Sequence, residues 1–441
     1  MDNPLVYQQK IIMKLLSLFF GLIFCFLTAC KQSPKLIVEE AFVQQLIKEK
    51  PSKQGAEVAN LIRDELYFWE SRLKDIPTSF TAAKNEASAL VQDFHLNGKI
   101  EQLFKADSIL RDLNQFQHEK DAGILKSLAS IQITLHRFKE ANDFVVKAKM
   151  VGTEKQSTNW LFFDTQFELG NYTLAKNALN KTASSNQYGY LFRMAKWKHW
   201  LGETDSAAYY FNQATKWAGN SLLLKQVAQA NLADLYLHDN QLDKAYALYK
   251  QNLLANPLDH YSLQGMGRIA LTHSTSVHLA KQLFTYQAKI NELPDAIYNQ
   301  IWFAETKQDS VLQKKYAQAF EKRATQPKFG GMYNKYLIEL YTGILNKPSK
   351  ALAIAEAEIK NRSTPQTYAW LVYTLQLNGN ISAAKKLYAE KVSGKPLETL
   401  ELYWMGKTME NQNKKNMAKK FYKAATENIF DLSPAKQREL E

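Results

Sequence analysis

Residues 159–183 read NWLFFDTQFELGNYTLAKNALNKTA, and the alternation of bulky and small residues in this stretch decides how the chain is built. Trp160, Phe162, Phe163, Phe167 and Leu169 recur at helical spacing and predict an amphipathic helix. Gly170 ends it, because the residue past a helix C-terminus often takes the left-handed conformation, which glycine adopts without a Cβ clash. Asn171 follows as the N-cap of a second helix, whose Tyr172, Ala175, Leu179 and Thr182 share one face. Ala175 is the decisive position, since a small side chain lets two antiparallel helices approach closely. The stretch is a helical hairpin.

The hairpin recurs. Its small residue returns at Ala141, Ala175, Ala207, Ala245, Ala280, Ala351, Ala384 and Ala418, at spacings of 32 to 38 residues with one gap of 71. That gap holds two repeats, the middle one degenerate near Gln313 to Ala317, and the segment around residues 290–330 is expected to bend or hinge. Turn residues keep step at Gly170, Gly202, Asn240, Asn346, Gly379 and Asn413, as do the bulky residues Val145, Leu179, Phe211, Tyr249, Phe284 and Tyr422. Neither a Gly/Ser-rich linker nor an Asn-Gly or Asp-Gly turn between alternating runs interrupts the pattern. The chain has 11 prolines and 17 glycines in 441 residues, few enough for nearly continuous helix.

A period near 34 residues with these positions resembles the tetratricopeptide repeat (TPR). LADLYLHDNQLDKAYALYKQNLLANP, ending at Pro257, and YWMGKTMENQNKKNMAKKFYKAA match it best. HLNGKIEQLFKADSIL is a weaker copy, with Gly98 at the turn and Leu103 where alanine is usual. The resemblance covers about three quarters of the chain and implies an all-α, right-handed α-solenoid of about nine or ten TPR-like hairpins, at 51–433. Helices between Leu36 and Leu73 are expected to cap its first repeat, with breaks at Pro51 and Pro77. Pro434 is expected to close the last helix and leave 434–441 as a polar tail.

The N-terminus tells where the chain goes. Leu15 to Ala29 is an unbroken apolar or small stretch preceded by Lys10 and Lys14, long enough for a signal-peptide core and short of the ~20 residues of a membrane-spanning helix. It ends in Leu27-Thr28-Ala29-Cys30, which resembles the lipobox of bacterial lipoproteins. That resemblance implies a signal peptide at 1–29, a diacylglycerol thioether on Cys30 and an acylated new N-terminus, with 30–50 as tether and first helix. Met13-Lys14 is the more typical start. Lys31 to Lys35 is a polar tether, and because it lacks the acidic run of surface-exported Bacteroidota lipoproteins, the resemblance implies an outer-membrane anchor facing the periplasm. The cysteines are Cys25 and Cys30, so the mature chain has no thiol for a disulfide, for zinc or for nucleophilic catalysis.

Removing 1–29 takes Lys10, Lys14 and Asp2 and leaves a net charge of +12, from 54 basic and 42 acidic groups. Lysines such as Lys414, Lys415, Lys419 and Lys420 read as solvated outer faces, and nucleic acid is not expected as a partner of an exported lipoprotein. No H-E-x-x-H, P-loop, dinucleotide fingerprint or G-x-S-x-G is present, and neither catalysis, a metal nor a cofactor is expected. Gly265-Met266-Gly267 reads as packing between helices, and His273 with His278 as a turn.

In TPR-like arrays the first helix of each pair lines a concave groove. By register the groove positions here are Trp160, Asp164, Phe192, Lys196, His199, Asp234, Gln264, Arg268, Tyr373, Gln376, Tyr403, Lys407 and Glu410. Each faces either the groove or the core between repeats, Trp160 and Phe192 above all. Aromatics would supply area, and Lys196, Arg268 and Lys407 could read carboxylates. Two function classes stay open: an envelope-anchored scaffold for protein or peptide partners, and a binding lipoprotein for a glycan or other small ligand, similar to the SusD-like family. The second family carries its site on long loop insertions, which this near-constant spacing lacks.

Overall fold

The computed structural model describes residues 37–48, 53–152, 155–184, 186–272 and 275–441. The signal peptide, Met13, Cys25, Cys30, the Lys31–Lys35 tether, Pro51 and His273 lie outside the described residues. Residues Val38–Glu441 form one compact unit, and of Met1–Ile37 only Ile37 is described.

Two helices precede the repeats, α1 (Glu40–Lys48) and α2 (Lys53–Asp75). Ten hairpins follow, each packed on the next. Repeats 1 to 3 are α3 (Phe80–Asn97) with α4 (Ile100–Phe116), α5 (Ala122–Thr134) with α6 (Phe138–Val151), and α7 (Lys155–Glu168) with α8 (Tyr172–Asn180). Repeats 4 to 6 are α9 (Tyr188–Trp200) with α10 (Thr204–Lys216), α11 (Leu222–His238) with α12 (Leu242–Ala255), and α13 (His260–Leu271) with α14 (Val277–Ile290). Repeats 7 and 8 are α15 (Asp295–Thr306) with α16 (Ser310–Ala324), and α17 (Asn334–Thr342) with α18 (Pro348–Asn361). Repeats 9 and 10 are α19 (Pro365–Leu377) with α20 (Ile381–Leu387), and α21 (Thr399–Asn411) with α22 (Lys415–Thr426). A last helix, α23 (Pro434–Leu440), ends the described chain. No strand occurs among the described residues, so the fold is an all-α, TPR-like solenoid.

The alanine ruler holds: Ala141, Ala175, Ala207, Ala245, Ala280, Ala351, Ala384 and Ala418 are all buried. The turn rule holds at backbone level too. Gly98, Gly170, Gly202, Asn240, Asn346, Gly379 and Asn413 all have positive φ. His136 and Gln308 take the same left-handed conformation without the glycine or asparagine that would announce it. The stretch expected to be degenerate is a full hairpin, with Ala317 and Phe320 buried.

Three further expectations are corrected. Helix α2 does pack on α3, but α1 does not cap repeat 1. It buries Phe42, Val43 and Leu46 and lies on the second helices of repeats 5 and 6, with Gln44 Nε2 donating to Gln282 Oε1 at 2.9 Å and the Glu39 N–H to the Tyr246 hydroxyl at 3.2 Å. Lys250 joins them, 2.8 Å from Glu39 and 5.2 Å from the Phe42 ring. The supposed polar tail is the helix α23, which Pro434 starts, proline being favoured in a first turn where its missing N–H costs nothing. His278 stands in the first turn of α14, 3.5 Å from Glu40.

The third correction concerns the groove. Turns of the early repeats touch the links between late repeats, so successive windings meet edge to edge. The Glu292 N–H donates to the Asn97 carbonyl, Lys328 pairs with Glu101, Asn361 donates to the His136 carbonyl and Arg362 lies 3.1 Å from Glu168. Farther along, His238 pairs with Asp431 at 2.5 Å, and Asn240 donates to the Glu427 carbonyl. These partners are about 190 to 230 residues apart in sequence. The inner face is therefore enclosed.

Candidate functional site

The inner face carries three side-chain groups. The first is a packing zone between repeats 3 and 4. Gly189 sits so close under Trp160 that a Cβ there would be 2.5 Å from the indole, and Arg193 donates to the Trp160 carbonyl and pairs with Asp164. Phe192 packs edge-on against Phe211, inside a core with Ala195, Ala207 and Leu235. Lys196 lies 3.9 Å from Glu168 and 5.5 Å from the Phe167 ring. Trp160 and Phe192 are thus core between helices, and Asp164 is already neutralised. His199 stands at the edge of this zone, 5.0 Å from the His238 ring. Burial, and then the charge of His238, hold His199 below the ordinary histidine value.

The second group surrounds a central chamber of about 620 Å³. Its walls come from repeats 1, 2, 5, 6, 7 and 8 and from Asp431 after repeat 10, and include three of the expected residues, Asp234, Gln264 and Arg268. Asp234 accepts from the Tyr249 hydroxyl at 2.5 Å, and Asp295 from the Tyr333 hydroxyl at 2.6 Å. Burial raises both carboxyls above their usual range. Tyr261 stands across the chamber, 59% exposed although the solenoid wraps it. Gln264 accepts from Asn299 at 3.0 Å. The Arg268 guanidinium lies 4.6 Å over the Trp302 ring, and its Nε is buried with no hydrogen-bond partner.

The third group lies on the inner face of repeats 7 to 10, where α23 is seated. The Ala435 N–H donates to Glu305 Oε2 at 3.2 Å, and Arg438 Nη2 to the Glu305 carbonyl at 2.9 Å. Lys436 reaches Glu339 at 2.5 Å, and that carboxylate also accepts from the Tyr298 hydroxyl. Glu439 accepts from the Tyr403 hydroxyl at 2.5 Å and pairs with Lys407. Tyr373 stacks on Trp404 with centroids 5.4 Å apart, beneath the helix. Burial opposes the Lys436 charge, but Glu339 and Glu305 outweigh it and hold the ammonium above its ordinary value. Gln376 accepts from Gln412, and Glu410 from the Tyr422 hydroxyl, so neither is held by α23.

Sequence reasoning missed Tyr261, Asp295, Tyr333 and Tyr336 in the chamber, and Glu305, Glu339, Lys436 and Glu439 under α23. Tyr261 and Glu305 lie on first helices and register could have found them. Lys436 and Glu439 carried no signal, because their helix lies outside the repeat.

No family model matches the chain, and no curated protein matches it significantly. Among solved structures it is similar to a monomeric mutant of IFIT1 with m7Gppp-AAAA, at 13% identity over 74% of this chain and 75% of that one, with a TM-score of 0.47. It is also similar to a human IFIT1 dimer with PPP-AAAA, at 13% identity over 82% of this chain and 94% of that one, with a TM-score of 0.45. Likeness this loose says nothing about what this chain binds.

Proposed function

We propose that this protein is a lipid-anchored scaffold of a bacterial, Bacteroidota-like cell envelope. It holds a partner protein by a short helical segment laid on the inner face of repeats 7 to 10. The observation that carries this reading is the seating of α23: that face already accepts a helix through one acidic pocket, Glu305 with Glu339, and one basic-aromatic pocket, Lys407 with Tyr403. A partner helix bearing a cation and a carboxylate three residues apart, as Lys436 and Glu439 are, would meet the same groups. Anchoring through Cys30 in the outer membrane, facing the periplasm, is supported by the apolar run 15–29 and by Leu27-Thr28-Ala29-Cys30. No helix among the described residues is long and apolar enough to cross a membrane. We assign it no catalysis and no nucleic-acid partner. The inner face is rich in carboxylates, while Lys414, Lys415, Lys419 and Lys420 point to solvent.

The glycan reading ranks second, because the longest link between described helices is 388–398, whose first five residues are themselves helical. The test uses a fluorescent peptide of residues 429–441 and the chain lacking 432–441. Saturable binding to the shortened chain, weakened at least tenfold by Lys407→Glu or by Lys436→Glu in the peptide, is expected. Equal binding by those variants would sink the reading of the site. Mass spectrometry of the N-terminal peptide tests the anchor separately, and an unmodified Cys30 in the mature protein would remove it.

A further inference from the structure

The central chamber has an imbalance that its own packing does not resolve. Arg268 makes no hydrogen bond and no ion pair with any described residue; its guanidinium rests on Trp302 alone, and its Nε is sealed from solvent. Arg111, Arg193 and Arg362, which are also partly buried, each pair with a carboxylate. Asp234 and Asp295 act on that charge through space, but no donor of the fork touches an acceptor among the described residues, and leaving the hydrogen bonds of a partly buried guanidinium unmade is costly.

Three carboxylates line the same chamber, and one of them, Asp431, is held by His238 and Thr399. Asp234 and Asp295 each take one tyrosine hydroxyl and have no cation at ion-pair distance among the described residues, although an ionised carboxylate has room for about four donors. Tyr261 and Tyr336 also line it, with hydroxyl groups that donate to no described residue. The chamber therefore offers the terminal donors of a guanidinium that makes no hydrogen bond, two under-used acceptors and aromatic faces. Its volume of about 620 Å³ lies within the usual range of small-molecule sites.

A purely anionic ligand would satisfy Arg268 and be repelled by Asp234 and Asp295. A purely cationic one would meet the opposite fate. We infer that the chamber is a binding site for a zwitterionic small ligand of the α-amino acid or short-peptide class, its carboxylate taken by Arg268 and its ammonium by Asp234 and Asp295. Arg268 suits that role because its planar fork matches a carboxylate in bidentate geometry. Tyr261 and Tyr336 belong to the same wall and would pack on the ligand's side chain, where a cation–aromatic contact also favours the ammonium end. This site is separate from the seat of α23, and its test does not depend on that reading.

The experiment is calorimetric titration of the mature chain with the protein α-amino acids and with Ala-Ala and Ala-Ala-Ala, beside their N-acetylated and C-amidated forms. At least one free zwitterion is expected to bind below millimolar concentration, with acetylation and amidation each weakening it tenfold or more. Arg268→Gln should abolish the preference for the free carboxylate, while Asp234→Asn should abolish the preference for the free amine and leave the carboxylate preference. Arg268→Lys should restore part of the lost affinity, and circular dichroism should show the three variants to be folded as the parent. Binding of the blocked forms as tightly as the free ones, affinity unchanged in Arg268→Gln, or no member of the set bound at millimolar concentration would each overturn the inference.

Discussion

Gly265 and Gly406 occupy positions on first helices where the repeat has no room for a side chain. A Cβ at Gly265 would come within 2.2 Å of the Tyr249 ring, and one at Gly406 within 2.3 Å of the Tyr422 ring. Tyr249 is fully buried and also holds Asp234, so it cannot swing away without uncovering that carboxyl. Gly265→Ala is therefore expected to destabilise the chain by about 1–3 kcal/mol through overpacking. Gly202→Ala, where nothing lies within 4 Å but φ is +76°, should cost less, about 1 kcal/mol from the left-handed backbone alone. Urea midpoints of the two variants check the order, and a larger loss at Gly202 would refute this account of the close approach. Small residues at this period were legible in the sequence because both neighbours belong to the repeat. The same register placed Trp160 and Phe192 no better than between groove and core, since a first-helix residue near the boundary of its stripe can turn either way.

At the scale of elements, two of the three helices outside the repeat, α1 and α23, are the ones the sequence misplaced. Helix α1 is amphipathic, with Phe42, Val43 and Leu46 on its buried face, and periodicity says that this face is covered without saying by what. Its cover is the outer side of repeats 5 and 6. Phe42→Ala, which removes the ring under Lys250, is expected to free α1 while leaving the solenoid folded. Hydrogen exchange should then rise across residues 40–48 and stay unchanged in repeats 8 to 10; loss of protection throughout would contradict a strap role. For α23 the polar composition of 434–441 hid a helix whose charges are spent inward, on Glu305, Glu339 and Lys407. Lys436→Glu places a like charge against Glu339 in a buried pocket and is expected to release the helix, read as faster exchange at residues 434–440.

At the scale of the whole molecule, stability depends on the seam between windings. Arg362 serves four partners there: Glu168 and the Phe138 ring on the facing winding, Glu358 on the helix it caps and the Trp370 ring. Arg362→Met leaves the buried Glu358 without its cation, so a loss of about 2 kcal/mol or more is expected, with an increased radius of gyration in small-angle scattering as the seam loosens. An unchanged radius and midpoint would show that the seam does not depend on this residue. Two desolvated histidines make stability depend on pH. Burial, with Arg362 adding, lowers His136 to about 4, and burial lowers His260 to about 4. Both values lie below the unfolded 6.5, so the unfolded chain takes up protons first and stability is lost as pH falls from about 6.5 to about 4, by at most about 3 kcal/mol per histidine. His238 works the other way: burial opposes its charge, Asp431 outweighs that, and its contribution is full in acid and lost as pH rises through its raised value. The thermal midpoint should therefore fall below pH 6.5 less steeply in His260→Gln than in the parent, and an equal slope would exclude His260 as a source.

The sequence by itself determined the hairpin, its small-residue contact and its left-handed turns, because each depends on residues within one or two repeats of one another. It named Asp234, Gln264 and Arg268 among the first-helix positions and left open whether each faces the groove or the core, because register fixes the helix and not the turn of a boundary residue. Tertiary structure alone decided that the windings close on themselves and that α23 lies on Glu305 and Glu339. Those contacts join residues about 100 to 230 positions apart. They depend on the small rotation from each repeat to the next, summed over five or six repeats, and no single hairpin encodes that sum.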